Sequence, residues 1–346
     1  MPTDVSPEAL ALQRLYHWEK SAPSRVAFTQ PLGGGPVRDY TWGEVVDQSR
    51  RMAAHLKTQG IEPGDRVAII SKNTAHWMMS DYAIWLAGGV SVPLYPTLAP
   101  TTIRQILDHS GAKLLFVGKL DGWEHMKPGV PAGMPCISHP LSPEDAKKSY
   151  PQWDDIVGKT APLPGNPVRP ADELSTIIYT SGTTGMPKGV MHTFGTLAFA
   201  VQTGLTRIPV NADSRMLSYL PLSHVVERVL VEHGQLATGM RVFFAESLET
   251  FTSDLQRARP TVFFSVPRLW VKFQQGVLHK MPQAKLDRLL RLPIIKGIVK
   301  KKILSTLGLD QCIFAVGGAA PMPPELLRWY AHIGLKVGEG YGLTEN

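Results

Sequence analysis

Tyr179-Thr-Ser-Gly-Thr-Thr-Gly-Met-Pro-Lys-Gly-Val190 stands directly after an apolar run at residues 175–179 and ahead of a helical pattern at 196–206. Gly182, Gly185 and Gly189 permit backbone conformations that turn several N–H groups inward, as an anion-binding nest requires. Thr180, Ser181, Thr183 and Thr184 add hydroxyl donors, and Lys188 adds a point charge. Together they suit a polyphosphate, whose several charges a loop must neutralise. The loop is not the common NTPase P-loop, which needs Gly-Lys-Ser/Thr after four spacers. Here Pro187 precedes Lys188 and Gly189 follows it, so GTPase and kinase readings lose support. A polar surface loop is the bland alternative, and this density of Gly, Ser, Thr and Lys after a buried strand speaks against it.

Outward from this loop the chain alternates strand and helix. Thr41-Trp-Gly-Glu44 reads as a capping box that opens a helix running to Gly60. Strands are expected at 66–71, 90–94 and 113–117, with helices between them at 73–85, capped by Asn73, and at 102–109. Residues 121–170 are richer in Pro and Gly and read as a connecting region. Further strands are expected at 175–179, 216–220, 241–244, 261–265 and 312–316. Helices are expected at 196–206, 226–237, 252–258, 268–278 and 324–332. This rhythm predicts an α/β fold, two lobes of mainly parallel sheets covered by helices, about 1–170 and 171–346. Four lysines among apolar residues at 296–304 read first as a solvated helix face; a membrane-facing or CoA-facing patch is the sharper alternative.

The composition fits a folded chain with a large core: 346 residues, 43% hydrophobic and 19% charged. A formal charge of +7 favours anionic partners, although a solvated basic face explains charge alone. Cys136 and Cys312 are far apart and form no metal-type spacing, which points to a reducing compartment. The start shows no signal-peptide pattern, and the apolar window 77–95 contains Asp81, Gly88 and Gly89, so it reads as a buried helix and strand. The expected location is cytoplasmic, with peripheral membrane contact left open, no nucleic-acid partner and the oligomeric state open.

Residues 312–321, Cys-Ile-Phe-Ala-Val-Gly-Gly-Ala-Ala-Pro, read as a strand running into small side chains. A flat ligand can approach the backbone there, at a strand's carboxyl end, although a tight turn explains the residues equally well. Gly338-Glu-Gly-Tyr-Gly-Leu-Thr-Glu345 closes the chain. Tyr341 between glycines can lie against an aromatic base, Thr344 can donate to a phosphate, and Glu345 is a hard oxygen ligand suited to Mg²⁺ carried on ATP. Asn346 follows immediately, so a truncated chain is expected.

The phosphate loop at 179–190 and the closing Gly-Tyr-Gly-Leu-Thr-Glu segment at 340–345, in this order, resemble the signatures of the adenylate-forming (AMP-binding) superfamily. Tyr219-Leu-Pro-Leu-Ser-His-Val-Val-Glu-Arg228, Phe263-Phe-Ser-Val-Pro-Arg-Leu-Trp270 and Trp85-Leu-Ala-Gly-Gly-Val-Ser-Val-Pro-Leu-Tyr-Pro96 resemble its long-chain fatty acyl-CoA synthetase branch. The resemblance spans nearly the whole chain. It implies that Thr180 and Glu345 hold Mg²⁺, and that Ser181, Gly182, Thr183, Thr184, Gly185 and Lys188 belong to the phosphate loop. Gly318, Ala319 and Ala320 would lie along the adenine of ATP or AMP, with Glu339, Gly340, Tyr341 and Gly342 around it. Thr344 would meet the phosphate that becomes AMP, and His224 would sit beside the acyl carboxylate. Lys188, His224, Thr344 and Glu345 are thus the expected catalytic residues. Glu339 departs from the glutamine frequent at its position. The family's ribose-gripping acid, its small barrel and its mobile C-terminal domain with a catalytic lysine find no match here, so little activity is expected of this chain alone.

The implied reaction joins a fatty acid to CoA through acyl-AMP, with Mg²⁺, ATP and CoA as cofactor and co-substrates. Ser223-His224 is not a nucleophile–base pair: neighbouring side chains diverge, no orienting acid is evident, and no Gly-x-Ser-x-Gly elbow exists. His224 as a hydrogen-bonded core histidine remains a rival reading. Glu227 and Arg228 read as a partly buried ion pair. Two alternatives stay open: another adenylate-forming ligase, such as a fatty acyl-AMP ligase or a short-chain or aryl-CoA synthetase, and a noncatalytic nucleotide-binding module.

Overall fold

A six-stranded sheet and a four-stranded sheet enclose a helical layer, and a three-stranded sheet with its own helices completes the molecule. The computed structural model describes residues 5–180 and 186–345. The strands are β1 (Val26–Pro31), β2 (Val37–Thr41), β3 (Arg66–Ile70), β4 (Val90–Leu94), β5 (Leu114–Val117), β6 (Cys136–Ser138), β7 (Leu174–Thr180), β8 (Lys188–Thr193), β9 (Arg215–Ser218), β10 (Arg241–Phe244), β11 (Val262–Ser265), β12 (Phe314–Gly318) and β13 (Val337–Gly340). The sheet orders are β6-β5-β3-β4-β7-β8, β2-β1-β10-β9 and β11-β12-β13. Among the described residues only β1–β2 and β7–β8 pair antiparallel. The first helices are α1 (Ala11–Ser21), α2 (Trp42–Thr58), α3 (Ala75–Ala87) and α4 (Pro100–Ser110). Short helices follow: α5 (Trp123–Met126), α6 (Glu144–Ser149) and α7 (Trp153–Lys159). The later ones are α8 (Phe194–Leu205), α9 (Val225–Glu227), α10 (Gly234–Thr238), α11 (Phe251–Ala258), α12 (Pro267–Lys280), α13 (Gln283–Leu290), α14 (Pro293–Leu307) and α15 (Pro324–His332).

Side-chain alternation explains the layering. On β3, Val67 and Ile69 face one core while Ala68 and Ile70 face another. Both faces are covered, so the strand is apolar throughout. Val242 and Phe244 of β10 join the core of Val67, whereas Phe243 joins the core around β11 and β12. Between the two larger sheets lies α3, buried along its whole length. It starts where Thr74 Oγ1 accepts from the Trp77 N–H at 3.1 Å and stops at Gly88, φ +96°. It has no solvent-facing side, so contact with protein all round holds it. The capping box at Thr41 and Glu44 forms as expected and opens α2.

Several expectations are corrected. Thr74, not Asn73, caps α3. Residues 121–170 are not a mere connection, since β6 is an edge strand of the largest sheet and α5 to α7 lie there. The segment after the phosphate loop first returns as β8 before α8 begins. The strand expected at 312–316 lies at Phe314–Gly318 and takes in both glycines. A boundary near 170 does not coincide with a sheet boundary: β7 and β8 belong with β3 to β6, and β1 and β2 belong with β9 and β10. Among the described residues no helix is long and apolar enough to cross a membrane.

Candidate active site

Thr180, Gly318 and Gly340 stand at the carboxyl ends of β7, β12 and β13, the ends at which open α/β sheets bind ligands. β7 ends at Thr180 and β8 begins at Lys188, and these two residues face each other across the antiparallel pair. Lys188 is exposed and takes part in no ion pair among the described residues. Ser181, Gly182, Thr183, Thr184 and Gly185 lie outside the described residues. Gly189 has a packing reason as well, because a Cβ there would stand 2.7 Å from Ile177 Cγ2.

β12 and β13 bring Gly318 beside Gly340 and Gly317 beside Glu339. A Cβ on Gly318 would meet the Phe264 ring at 2.7 Å and the Gly340 carbonyl at 3.1 Å, so only glycine allows the strands this approach. Ala319 then takes φ +67°, a left-handed conformation that is strained for an L side chain. The Glu339 carboxylate accepts from the Met322 N–H at 2.9 Å and fastens the loop carrying Ala319 and Ala320 to β13. Ala319, Ala320, Gly340, Tyr341 and Gly342 are exposed, Tyr341 to 89%. They form an open shelf of backbone and small side chains.

Thr344 and Glu345 leave that shelf and reach the strand that Lys188 begins. Burial holds His192 of β8 below its ordinary pKa, while the Thr344 backbone and the Glu345 carboxylate favour its charged form. His192 Nε2 has no hydrogen-bond partner among the described residues. Thr180 and Glu345 supply two hard oxygen donors. That chemistry fits Mg²⁺ carried on phosphates, which needs few protein ligands, rather than an all-protein cage. Among the described residues no cluster of three or more His, Cys, Asp or Glu could hold a metal.

His224 is half-buried and caps α9, its Nδ1 accepting from the Val226 N–H at 3.2 Å. Burial lowers its pKa. A neutral ring that accepts at Nδ1 carries its proton at Nε2, where it can donate to a carboxylate.

Two buried polar groups, around Glu227 and Arg228, lie beside His224 in the chain, and the sequence reading gave each of them other partners. The Asn73 amide donates to Ser218 Oγ at 2.8 Å and to the Leu220 carbonyl at 2.6 Å, and its Oδ1 accepts from the Leu222 N–H at 3.0 Å. Glu227 accepts from Ser218 Oγ at 2.7 Å and from the Tyr219 N–H at 3.0 Å. Asn73 thus ties the end of β3 to the end of β9, just before His224. Asparagine ahead of a helical run reads as a helix cap from sequence, and no local signal reveals a partner so distant.

The second group corrects the expected Glu227–Arg228 pair. Fully buried Arg228 pairs instead with Asp81 of α3 at 2.5 Å and with Glu232 at 3.2 Å. Its guanidinium lies over Trp77 and Trp85, 5.1 and 5.7 Å from their ring centroids. The ion pairs are close, but several of their nitrogens and oxygens lack well-aligned hydrogen bonds. Burial raises both carboxyls, and Glu232 well above its ordinary value. Arg228–His233 forms a π-helical turn, which widens the helix around this cluster.

Comparison with known proteins accounts for the arrangement. A family model described as "AMP-binding enzyme" matches residues 15–346. The chain is 30% identical to the peroxisomal long chain acyl-CoA synthetase 6 of Arabidopsis thaliana over 90% of its own length and 49% of that protein. It is 28% identical to the long-chain-fatty-acid–CoA ligase FadD15 of Mycobacterium bovis, over 96% of its own length and 60% of that protein. The chain therefore spans about half the length of the curated relatives it matches. Its fold resembles the A-PCP didomain of carboxylic acid reductase from Segniliparus rugosus, solved in complex with AMP, with a TM-score of 0.78 at 23% identity. That match covers 97% of this chain and 53% of the didomain. The anthranilate CoA ligase AuaEII, in complex with anthranoyl-AMP, gives 0.78 at 19% identity, over 99% of this chain and 62% of that one. With the match covering nearly all of its residues, the chain belongs to the AMP-binding enzyme family.

Proposed function

We propose that the chain is the adenylating part of a long-chain fatty acyl-CoA synthetase, which converts a fatty acid and ATP to acyl-AMP and then transfers the acyl group to CoA. The observation that carries this reading is the approach of Thr344 and Glu345 to His192, on the strand that begins at Lys188. It sets the segment that follows the exposed shelf beside the strand at whose start Lys188 stands, which supports one shared nucleotide site. The names of the curated relatives support a fatty acid as substrate.

In the first step a carboxylate oxygen bonds to the α-phosphorus while the bond to the departing pyrophosphate breaks. Both reactants are anions, so the step depends on fixed donors and positive charge. Lys188 compensates charge on the departing group. His224, neutral, donates Nε2–H to the acid and orients it. Thr344 donates to the phosphate that remains on adenosine. The Glu339–Met322 contact holds the small-residue loop open against the base. Thr180 and Glu345 would hold magnesium, which would supply Lewis-acid charge compensation when bound. In the second step the CoA sulfur bonds to the acyl carbon and AMP leaves, and no enzyme nucleophile is required.

The test is carboxylate-dependent pyrophosphate exchange by the complete protein with short, long and aryl acids, followed by thioester formation with and without CoA. Long-chain acids should give both activities. In Lys188→Ala exchange should fall by roughly 10²–10³. Exchange driven best by aryl or short acids, or none with any acid, would overturn the reading.

A further inference from the structure

We propose that the tip formed by α13 and the first turns of α14 is a docking surface for anionic lipid. The surface stands on its own and does not depend on which acid the enzyme activates. One side of α14 is anchored: Ile303 and Leu307 are buried in the core around β11 and β12, and Val299 and Leu304 pack against it. No described residue covers the opposite side. Residues 291–298 are all exposed. They include Ile294 at 85%, Ile298 at 67%, Leu292 at 44% and Ile295 at 37% exposure. Positions 294, 298, 301 and 305 fall on one helical face. The apolar residues therefore occupy its outer end, and Lys301 and Lys302 follow one turn further in.

Asp287 apart, the charges on α13 and α14 are positive. Arg288, Arg291, Lys296, Lys301 and Lys302 are exposed, and none joins an ion pair among the described residues. No Asp or Glu occurs from residue 288 to residue 309. The nearest carboxylate in sequence, Asp287, is engaged by Gln283 and His332.

Four exposed aliphatic side chains ringed by five free cations match the chemistry of a bilayer interface. The aliphatic groups enter the boundary of the acyl chains while the cations meet headgroup phosphates. A nucleic acid would use the cations and leave the isoleucines in water. A protein face covering the isoleucines would have to desolvate the cations unless it brought carboxylates of its own. At 15 residues, α14 is too short to span a membrane, so it lies at the surface.

The experiment is co-sedimentation of the complete protein with phosphatidylcholine vesicles, with and without added phosphatidylglycerol, at low and high salt. Binding should require the anionic lipid and weaken with salt. Ile294→Ser/Ile298→Ser should lower the partition coefficient roughly a hundredfold. Lys301→Glu/Lys302→Glu should lower it by at least about fivefold per cation. These positions are exposed, so circular dichroism should be unchanged in both variants. Absent vesicle binding, binding indifferent to anionic lipid, or equal binding by the isoleucine variant would each overturn the proposal. So would lipid-free self-association that the isoleucine variant abolishes, which would assign the tip to a second copy of the chain.

Discussion

Replacing Arg228 with methionine should destabilise the protein strongly at neutral pH and weakly at acid pH. Arg228 has no exposed surface and faces two carboxyls, Asp81 and Glu232, that are equally buried. Burial already pushes Glu232 well above its ordinary value, towards its protonated form, so the change bears chiefly on Asp81. Methionine keeps the contact with Trp77 and Trp85 but removes the charge facing Asp81. Asp81 must then also take a proton. Keeping neutral at pH 7 a carboxyl whose ordinary pKa is about 3.9 costs about 1.36 × (7 − 3.9), or roughly 4 kcal/mol. That agrees with the ~3–5 kcal/mol typical of breaking a buried pair from one side. The sign follows from the raised folded pKa. The variant is most stable below the unfolded pKa of Asp81 and loses stability as pH rises, so the same calculation at pH 5 gives only about 1.5 kcal/mol. Urea unfolding followed by tryptophan fluorescence reports directly, since Trp77 and Trp85 flank the site. Asp81→Asn in the same chain should recover most of the loss at pH 7. A loss independent of pH, a loss below about 1 kcal/mol at pH 7, or no recovery with Asp81→Asn would refute the account.

Burial pushes Glu227 up to about 8, with hydrogen bonds from Ser218, Tyr219 and Asn73 opposing the rise. Its contribution to stability is therefore complete below its ordinary value of about 4.3 and is lost as pH rises towards 8, at up to about 1.4 kcal/mol per unit. Glu227→Gln should flatten the fall in Tm between pH 6 and pH 8.5, and an identical fall in both proteins would contradict this. Gly308 closes α14 at φ +75°, and a Cβ there would stand 2.6 Å from the Leu255 backbone carbon. Gly308→Ala should cost about 2–4 kcal/mol from overpacking and a left-handed alanine, and a change under about 0.5 kcal/mol by urea unfolding would count against it.

Much of the fold was legible because short-range chemistry decides it. β4 and α15 fall at the expected residues, since proline, glycine and an apolar run bound each of them. The capping box at Thr41 was readable because its two partners are three residues apart. What escaped depends on distant residues. β1 and β13 become strands by pairing with β10 and β12, and nothing local compels them. Asn73 looked like a cap because its partners, Ser218 and Leu222, arrive only through the fold. Adjacent opposite charges suggested that Glu227 and Arg228 pair, but successive helical side chains diverge, and each found its partner elsewhere. The phosphate loop was conspicuous by composition, and five of its residues, 181–185, lie outside the described ones. The part of His192 beside Thr344 and Glu345 had no sequence signal at all.

The pairing of β1 with β10 also sets an order of events in synthesis. Phe28 leaves the ribosome early, yet its strand neighbour Val242 emerges only after most of this chain has been made. Until then the β1–β2 hairpin has no sheet to join, and the apolar face of α3 has only one of its two flanking sheets. The nascent chain must therefore carry unburied aliphatic and aromatic surface for much of its elongation, a natural substrate for a holding chaperone. The same geometry makes the region near residue 165 a poor place to divide the gene. Each half would carry strands that belong in the other's sheet, so the two pieces would acquire structure only as a complementing pair.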